Sequence, residues 1–317
     1  MTQETTSMNS QPQHVAESRL LMGTLVSIQV VGRTTRDALS HAIERAFVAI
    51  QYVEETCSRF NQDSALCELC RHPGEPRQVP DVLFQLLRVA LEMAEITDGL
   101  FDPTLGKILE SFGFNRDYLT GESVSNAPTL SEGSINVSYQ DIELDEENKT
   151  VLLRKPMLLD LGAIAKGLAV DLAAKELMNF EGFAIDAGGD LYLHGVDPTG
   201  QPWMVGIQHP LKKNGILCWL QVTDAAVCTS GSYERKSPLS DEIHHLIDPK
   251  TGKSGRGLLS CTIIAPQAMM ADVVSTSTFL QGASQALEFA QELELDALCI
   301  TDALDMIMTK GMERYIQ

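Results

Sequence analysis

The stretch Leu158–Asp171, LLDLGAIAKGLAVD, constrains this chain more than any other. An apolar run ends in a carboxylate, Asp160, turns at Gly162, and resumes at helical spacing through Ile164, Leu168, Leu172 and Leu177. A strand that feeds a helix through a tight glycine turn aims backbone N–H groups at whatever lies above it. Such a helix start suits an anion such as phosphate. Asp160 at the strand end and Lys166 one turn into the helix put opposite charges beside the same spot. The stretch fits a phosphorylated ligand with its cation. It also fits an ordinary strand–helix corner with a salt-bridged lysine.

At 317 residues the chain can bury a sizeable core, as one large domain or as two closely packed lobes. A formal net charge of −19 argues against nucleic acid or an acidic membrane as a partner. An anionic small ligand therefore needs its own local positive charge or a metal. Residues 1–17 are polar and lack an apolar signal region, which predicts a disordered tail ahead of a domain spanning 18–317. With no lipid-attachment cysteine near the start and no apolar run of membrane-spanning length, the expectation is a cytoplasmic protein without membrane insertion. The seven cysteines are scattered, mostly in apolar contexts, and read as reduced, buried thiols. Cys67 and Cys70 form a lone CxxC near His72; without a second ligand pair it reads as inert.

In chain order, Arg19–Val31 alternates as a strand, interrupted early by Met22-Gly23-Thr24. Thr35 can cap a helix through Glu55 with Leu39, Ile43, Phe47, Ile50 and Val53 on one stripe. Pro80-Asp81 opens a second helix that stops at Thr97-Asp98-Gly99, and residues 120–135 read as a polar linker. Ile142–Leu153 reads as a hairpin, Phe183–Gly195 as strand broken by Gly188-Gly189, and Trp203–Gln208, Leu217–Val222 and Leu259–Ala265 as strands. Met269–Gln281 reads as a helix, and Ala297–Thr301 and Asp305–Thr309 as closing strands. Strands clustered between 140 and 265, with helices before and after, predict an α+β architecture rather than strict βαβ alternation.

Four further groups could carry chemistry. Thr97–Thr104 (TDGLFDPT) puts an aromatic and a carboxylate in an Asp-Pro turn, and His244-His245-Leu246-Ile247-Asp248-Pro249 joins two imidazoles to another. Thr229–Tyr233 is a hydroxyl-rich turn at a strand end. Asp272 and Thr276 stand one helical turn apart on one face. A carboxylate and a hydroxyl are hard oxygen donors and suit Mg²⁺, which keeps few protein ligands and fills its shell with water and substrate phosphate. Each group also has a structural reading: loop punctuation, a partly exposed histidine pair, or a carboxylate favouring its helix N-terminus.

Together these segments resemble the ApbE family, the FAD:protein FMN transferases, from Met22 to about residue 310. The stretches that carry the resemblance are MGT (22–24), SRFNQDSAL (58–66), TDGLFDPTLG (97–106), LDLGAIAKGLAVD (159–171), the Gly188-Gly189-Asp190 turn, TSGSYER (229–235), HHLIDPKTG (244–252) and ADVVSTSTFLQG (271–282). The resemblance implies an ApbE-like α+β fold of two packed lobes with the ligand cleft between them. It implies a Mg²⁺-dependent enzyme that splits FAD at its pyrophosphate, passes FMN to a Ser or Thr hydroxyl of an acceptor flavoprotein, and releases AMP. The family's flavin positions fall on Met22, Phe60, Leu100, Phe101, Asp102, Asp160, Lys166 and Ile247. Its metal positions fall on Ala163 (through the backbone carbonyl), Asp272 and Thr276, and its candidate catalytic histidine on His245.

On this reading a cation, Lys166 and the helix amides offset the charge that develops on the diphosphate. The acceptor hydroxyl is a poor nucleophile at neutral pH, so a base near pKa 7 helps, and His245 is the candidate. Many family members are exported lipoproteins, whereas the polar start here suggests a cytoplasmic acceptor. Where the family often has an Asn after the SRF segment this chain has Cys70 or Arg71, which bears on local loop geometry. Two alternatives stay open: FAD hydrolysis to FMN and AMP, and FAD binding without catalysis. The decisive expectation is that the carboxylate of residue 272 and the carbonyl of residue 163 meet.

Overall fold

Eight strands form the central sheet in the order the chain visits them. They are β1 (Gln13–Leu21), β2 (Thr24–Gly32), β3 (Gly182–Ala187), β4 (Asp190–Gly195), β5 (Ala225–Gly231), β6 (Leu258–Ala265), β7 (Asp296–Thr301) and β8 (Met306–Met308). Every neighbouring pair is antiparallel. The computed structural model describes residues 12–124 and 137–317. Seven helices accompany the sheet among those residues: α1 (Arg36–Cys57), α2 (Ala65–Cys70), α3 (Asp81–Ile96), α4 (Gly106–Ser111), α5 (Ala165–Leu177), α6 (Ala268–Gln281) and α7 (Ala286–Glu292).

The period-2 alternation of the strands sorts their side chains onto two faces. Phe183, Ile185, Cys228, Ile263 and Cys299 face the main core with α1, α5 and α6. Ala184, Val227, Ile264 and Leu298 face the opposite way, under a hairpin of Trp203–Gln208 and Ile216–Val222 that contributes Trp203, Val205, Leu220 and Val222. α1 starts where expected, with the Ala38 N–H donating to Thr35 Oγ1 at 3.2 Å, and its stripe from Leu39 to Val53 is buried. None of the described helices is long and apolar enough to cross a membrane.

α5 and α6 are clamped at their N-termini by each other's carboxylates. The Ala268 and Met269 N–H groups of α6 donate to Asp171 of α5 at 2.7 and 2.9 Å. The Gly167 N–H of α5 donates to Asp272 Oδ2 of α6 at 3.0 Å. Orphan amides at both helix starts are thereby satisfied where the helices cross. The crossing is close: a Cβ on Gly167 would sit 2.4 Å from the Ala268 carbonyl oxygen.

Three local expectations change. Arg19–Val31 is not one interrupted strand but the arms of the β1/β2 hairpin, because Met22 (φ 53°) and Gly23 (φ 75°) adopt left-handed backbone and reverse the chain. Residues 13–17, expected in the polar tail, belong to β1; residues 1–11 and most of the linker 120–135 lie outside the described residues. Leu158–Asp160 is not a strand of the sheet. It runs beside the Asp-Pro loop, the Asp160 N–H donating to the Pro103 carbonyl at 2.8 Å and the Gly106 N–H to the Leu158 carbonyl at 3.1 Å.

Antiparallel order brings the β1/β2 turn, the β3/β4 turn at Gly188-Gly189 and the end of β5 to one edge of the sheet. Gly188 (φ 70°) packs so tightly there that a Cβ would lie 2.3 Å from Thr24 Oγ1. The start of α5 lies at the same edge.

Candidate active site

Two polar clusters meet at this edge. In the first, Lys166 is bonded to Asp190 at the start of β4, and its Nζ is 3.8 Å from Asp272 Oδ1. Lys166 is thus one ammonium shared by two carboxylates. Burial opposes its charge, yet Asp190 and Asp272 raise its pKa above the ordinary lysine value. Asp272 has the opposite fate. Burial, then the Asp190 charge, push its pKa well above the usual carboxylate range despite Lys166 and the Gly167 amide. This first cluster thus sets two buried carboxylates against one lysine.

In the second cluster the buried Arg59 is bonded to Asp160 and to the Phe114 carbonyl, and its guanidinium stacks 4.2 Å from the centre of the Phe60 ring. Burial works against ionisation of Asp160, but Arg59, the Gly162 amide (2.8 Å) and Arg235 outweigh it and hold its pKa below the ordinary value. The Phe114 ring packs edge-on against His245 at 6.5 Å. His245 in turn lies under the charge of Arg235 and Lys166, and its backbone N–H donates to the Arg235 carbonyl at 3.3 Å. Arg235 therefore joins the two clusters. A Cβ on Gly23 would lie 3.5 Å from its guanidinium, so the Met22-Gly23 turn borders it too.

The residues singled out from sequence are gathered here unevenly. Lys166, Asp272 and Thr276 share the first cluster, and Phe60, Asp160 and His245 the second. Leu100, Phe101 and Asp102 sit on the loop whose Pro103 carbonyl receives the Asp160 N–H. Asp102 anchors that loop, accepting from the Thr104 N–H at 2.8 Å and the Tyr139 N–H at 3.1 Å. The Phe101 side chain is turned into the core. Ile247 is buried on a short hairpin whose Lys250 is paired with Asp98 of the same loop at 2.9 Å. The Met22 N–H donates to Glu54 Oε1 at 2.8 Å, as does the Tyr118 hydroxyl.

His245 departs from the basicity expected of it. The residue is half-buried, its Nδ1 is enclosed with no hydrogen-bond partner among the described residues, and desolvation followed by Arg235 and His244 lower its pKa to about 3. In the unfolded chain it titrates near 6.5. Stability from keeping His245 neutral is therefore complete above that value and is lost as pH falls from 6.5 towards 3. We expect His245 to remove about 2 kcal/mol of unfolding free energy between pH 7 and pH 5. Urea unfolding across that range should show a shallower loss in His245→Gln; an identical slope would contradict the assignment. His244 differs, its Nε2 lying 3.0 Å from the Gly255 carbonyl and its ring edge-on to Phe279.

A divalent cation fits the first cluster. At the start of α5 the Ala165 N–H donates to the Leu161 carbonyl at 2.8 Å and the Leu168 N–H to the Ile164 carbonyl at 3.2 Å. In a longer helix the Gly167 N–H would go to the Ala163 carbonyl; Asp272 has taken it. The Asp272 carboxylate thus stands at the helix start to which Ala163 belongs, with Thr276 one turn along α6. Among the described residues no three His, Cys, Asp or Glu side chains converge on one point. One carboxylate, one hydroxyl and one carbonyl are a sparse, hard oxygen set of the kind Mg²⁺ accepts, and a cation offsets the excess buried charge. Cys67 and Cys70 are buried beside the second cluster, the Cys67 Sγ 3.5 Å from the Arg59 carbonyl, with burial raising both thiol pKa values, that of Cys70 to about 12.

The model of the ApbE family matches residues 22–299. The chain belongs to the ApbE family. It is 30% identical over 310 residues to the FAD:protein FMN transferase of Treponema pallidum, covering 90% of this chain and 84% of that protein. With the FAD:protein FMN transferase of Salmonella typhimurium it shares 29% identity over 92% of this chain and 83% of that one. The crystal structure of the ApbE protein of Thermotoga maritima superposes with a TM-score of 0.83 at 26% identity, covering 96% of this chain and all of that one. The α+β fold expected from sequence is therefore the ApbE fold.

Within this ApbE chain, Arg59, Asp190 and Arg235 build the site although sequence reading singled out none of them. All three stand inside stretches that carried the family resemblance. Their roles depend on partners 101 residues away for Arg59 and 24 for Asp190, so no local spacing marks them.

Proposed function

We propose that this protein transfers FMN from FAD to a Ser or Thr hydroxyl of an acceptor flavoprotein, with Mg²⁺ held by Asp272, Thr276 and the Ala163 carbonyl. The observation that carries the reading is the meeting of Asp272 with the start of α5, beside Lys166 and Arg235. When bound, the cation withdraws charge from the diphosphate oxygens and makes phosphorus more electrophilic.

The chain's own residues do the rest. Lys166 and Arg235 supply positive charge for a diphosphate at this edge. Phe60, stacked on Arg59, and Met22 offer apolar surface to the flavin rings, and the Arg59 pairing fixes the Asp160 carboxylate beside them. The acceptor oxygen forms a bond to the FMN phosphorus, the bond to the bridging oxygen breaks, and AMP leaves with that oxygen. His245 is already neutral, the form a base requires. Arg235 and Lys166 help to keep it weak, and an anionic diphosphate that pairs with them raises its basicity at the moment it is needed.

The test is mass spectrometry of a flavoprotein acceptor incubated with this protein, FAD and Mg²⁺. The expected result is an FMN-sized mass gain on a Ser or Thr, with one AMP released per transfer. AMP release at the same rate without acceptor would make the enzyme a FAD pyrophosphatase. FAD bound without any AMP would make it a flavin-binding protein.

A further inference from the structure

We infer that Ser230 and Ser275 form a hydroxyl relay that fixes the direction of the Thr276 hydroxyl, turning its proton away from the cation site and its lone pairs towards it. The inference rests on Thr276 being a metal ligand. It follows from counting protons. Ser275 Oγ is 2.9 Å from the Asp272 carbonyl oxygen, which can only accept, so the single Ser275 proton is committed there. Ser230 Oγ lies 2.8 Å from Ser275 Oγ, and with the Ser275 proton taken, Ser230 is the donor in that bond. Ser230 Oγ also lies 2.9 Å from Thr276 Oγ1. Its own proton is now used, so Ser230 accepts and Thr276 donates.

All three hydroxyls are buried, which keeps water from scrambling this order. A cation needs the lone pairs of a hydroxyl, and a proton pointing at it repels. The relay leaves Thr276 Oγ1 in the state a metal can use before any metal arrives. It also ties the end of β5, which carries Ser230, to the face of α6. Ser230 and Ser275 are positioning residues, acting on a ligand through its proton.

The order can be reversed without touching Thr276. In Ser275→Ala the Ser230 proton loses its acceptor and can turn to Thr276, which must then point its own proton elsewhere. In Ser230→Ala the Thr276 rotor is free. The experiment is Mn²⁺ binding to the full chain followed by electron paramagnetic resonance, with and without FAD, alongside thermal unfolding. Ser275→Ala and Ser230→Ala should each weaken Mn²⁺ binding about 10-fold or more while still unfolding cooperatively. Ser230→Thr, which keeps the hydroxyl, should bind as the parent does. Parent-like affinity in both alanine variants, with Thr276→Ala weakened, overturns the relay and leaves the metal reading standing. No Mn²⁺ binding by the parent protein, or no change in Thr276→Ala, overturns the metal reading and the relay with it.

Discussion

Asp272→Asn should lower FMN transfer by roughly 10²- to 10³-fold, the scale on which loss of one charge-stabilising contact slows such reactions. The same change should stabilise the ligand-free protein at neutral pH. Asn keeps an oxygen for the Gly167 N–H, so the α5 cap survives, but it removes the carboxylate that burial and Asp190 make costly to ionise. A carboxylate whose folded pKa is raised imposes no penalty below its unfolded value of about 3.8 and an increasing one as pH climbs towards the raised value. The parent protein should therefore lose stability from this group as pH rises through that window, the reverse of the His245 contribution. The stabilisation in Asp272→Asn is on the order of 1–2 kcal/mol at pH 7.5. Thermal unfolding with and without Mg²⁺ checks both halves: Mg²⁺ should raise the melting temperature of the parent and leave the variant unmoved. A variant that melts well below the parent would mean that Asp272 is a packing residue rather than a metal ligand.

Gly167→Ala should damage stability and transfer together. Besides lying 2.4 Å from the Ala268 carbonyl oxygen, its Cβ would sit 2.6 Å from Met269 Cα, and backbone at a clamped crossing has no rotamer to yield. The cost is about 3 kcal/mol or more, at the upper end for overpacked positions. Relief requires α5 to move off α6. That separates Ala163 and Lys166 from Asp272 and Thr276, so transfer should fall together with stability. The contrast with Asp272→Asn is diagnostic, since one change slows transfer with a stability gain and the other loses both. Denaturant unfolding and transfer rates measured on the same preparation decide it. Parent-like stability for Gly167→Ala would show that the two helices are not as close as described.

The sequence made the regular parts of this molecule legible and left its charged centre largely hidden. The α1 stripe, the Thr35 cap and the strand runs after residue 182 follow from local periodicity and capping, which one segment can display by itself. The Met22-Gly23 reversal was missed as a turn because it needs left-handed backbone at a methionine, a choice that the closing of β1 on β2 imposes. Leu158–Asp160 reads as a strand by composition, but its hydrogen bonds go to the Asp-Pro loop. In the site, the Asp160/Lys166 pairing suggested by spacing gives way to longer-range partners: Asp160 takes Arg59 and Lys166 takes Asp190. Nor could sequence show that His245 is enclosed by cations and burial, since the Arg235 and Lys166 charges reach it only through the fold.

The most direct test of the account is an anomalous difference map from crystals grown with FAD and Mn²⁺. A single strong peak is expected, bonded to the Asp272 carboxylate, the Thr276 hydroxyl and the Ala163 carbonyl, with the FAD diphosphate against it. A diphosphate bound at this edge with no metal peak there, or a peak held by other residues, would contradict it.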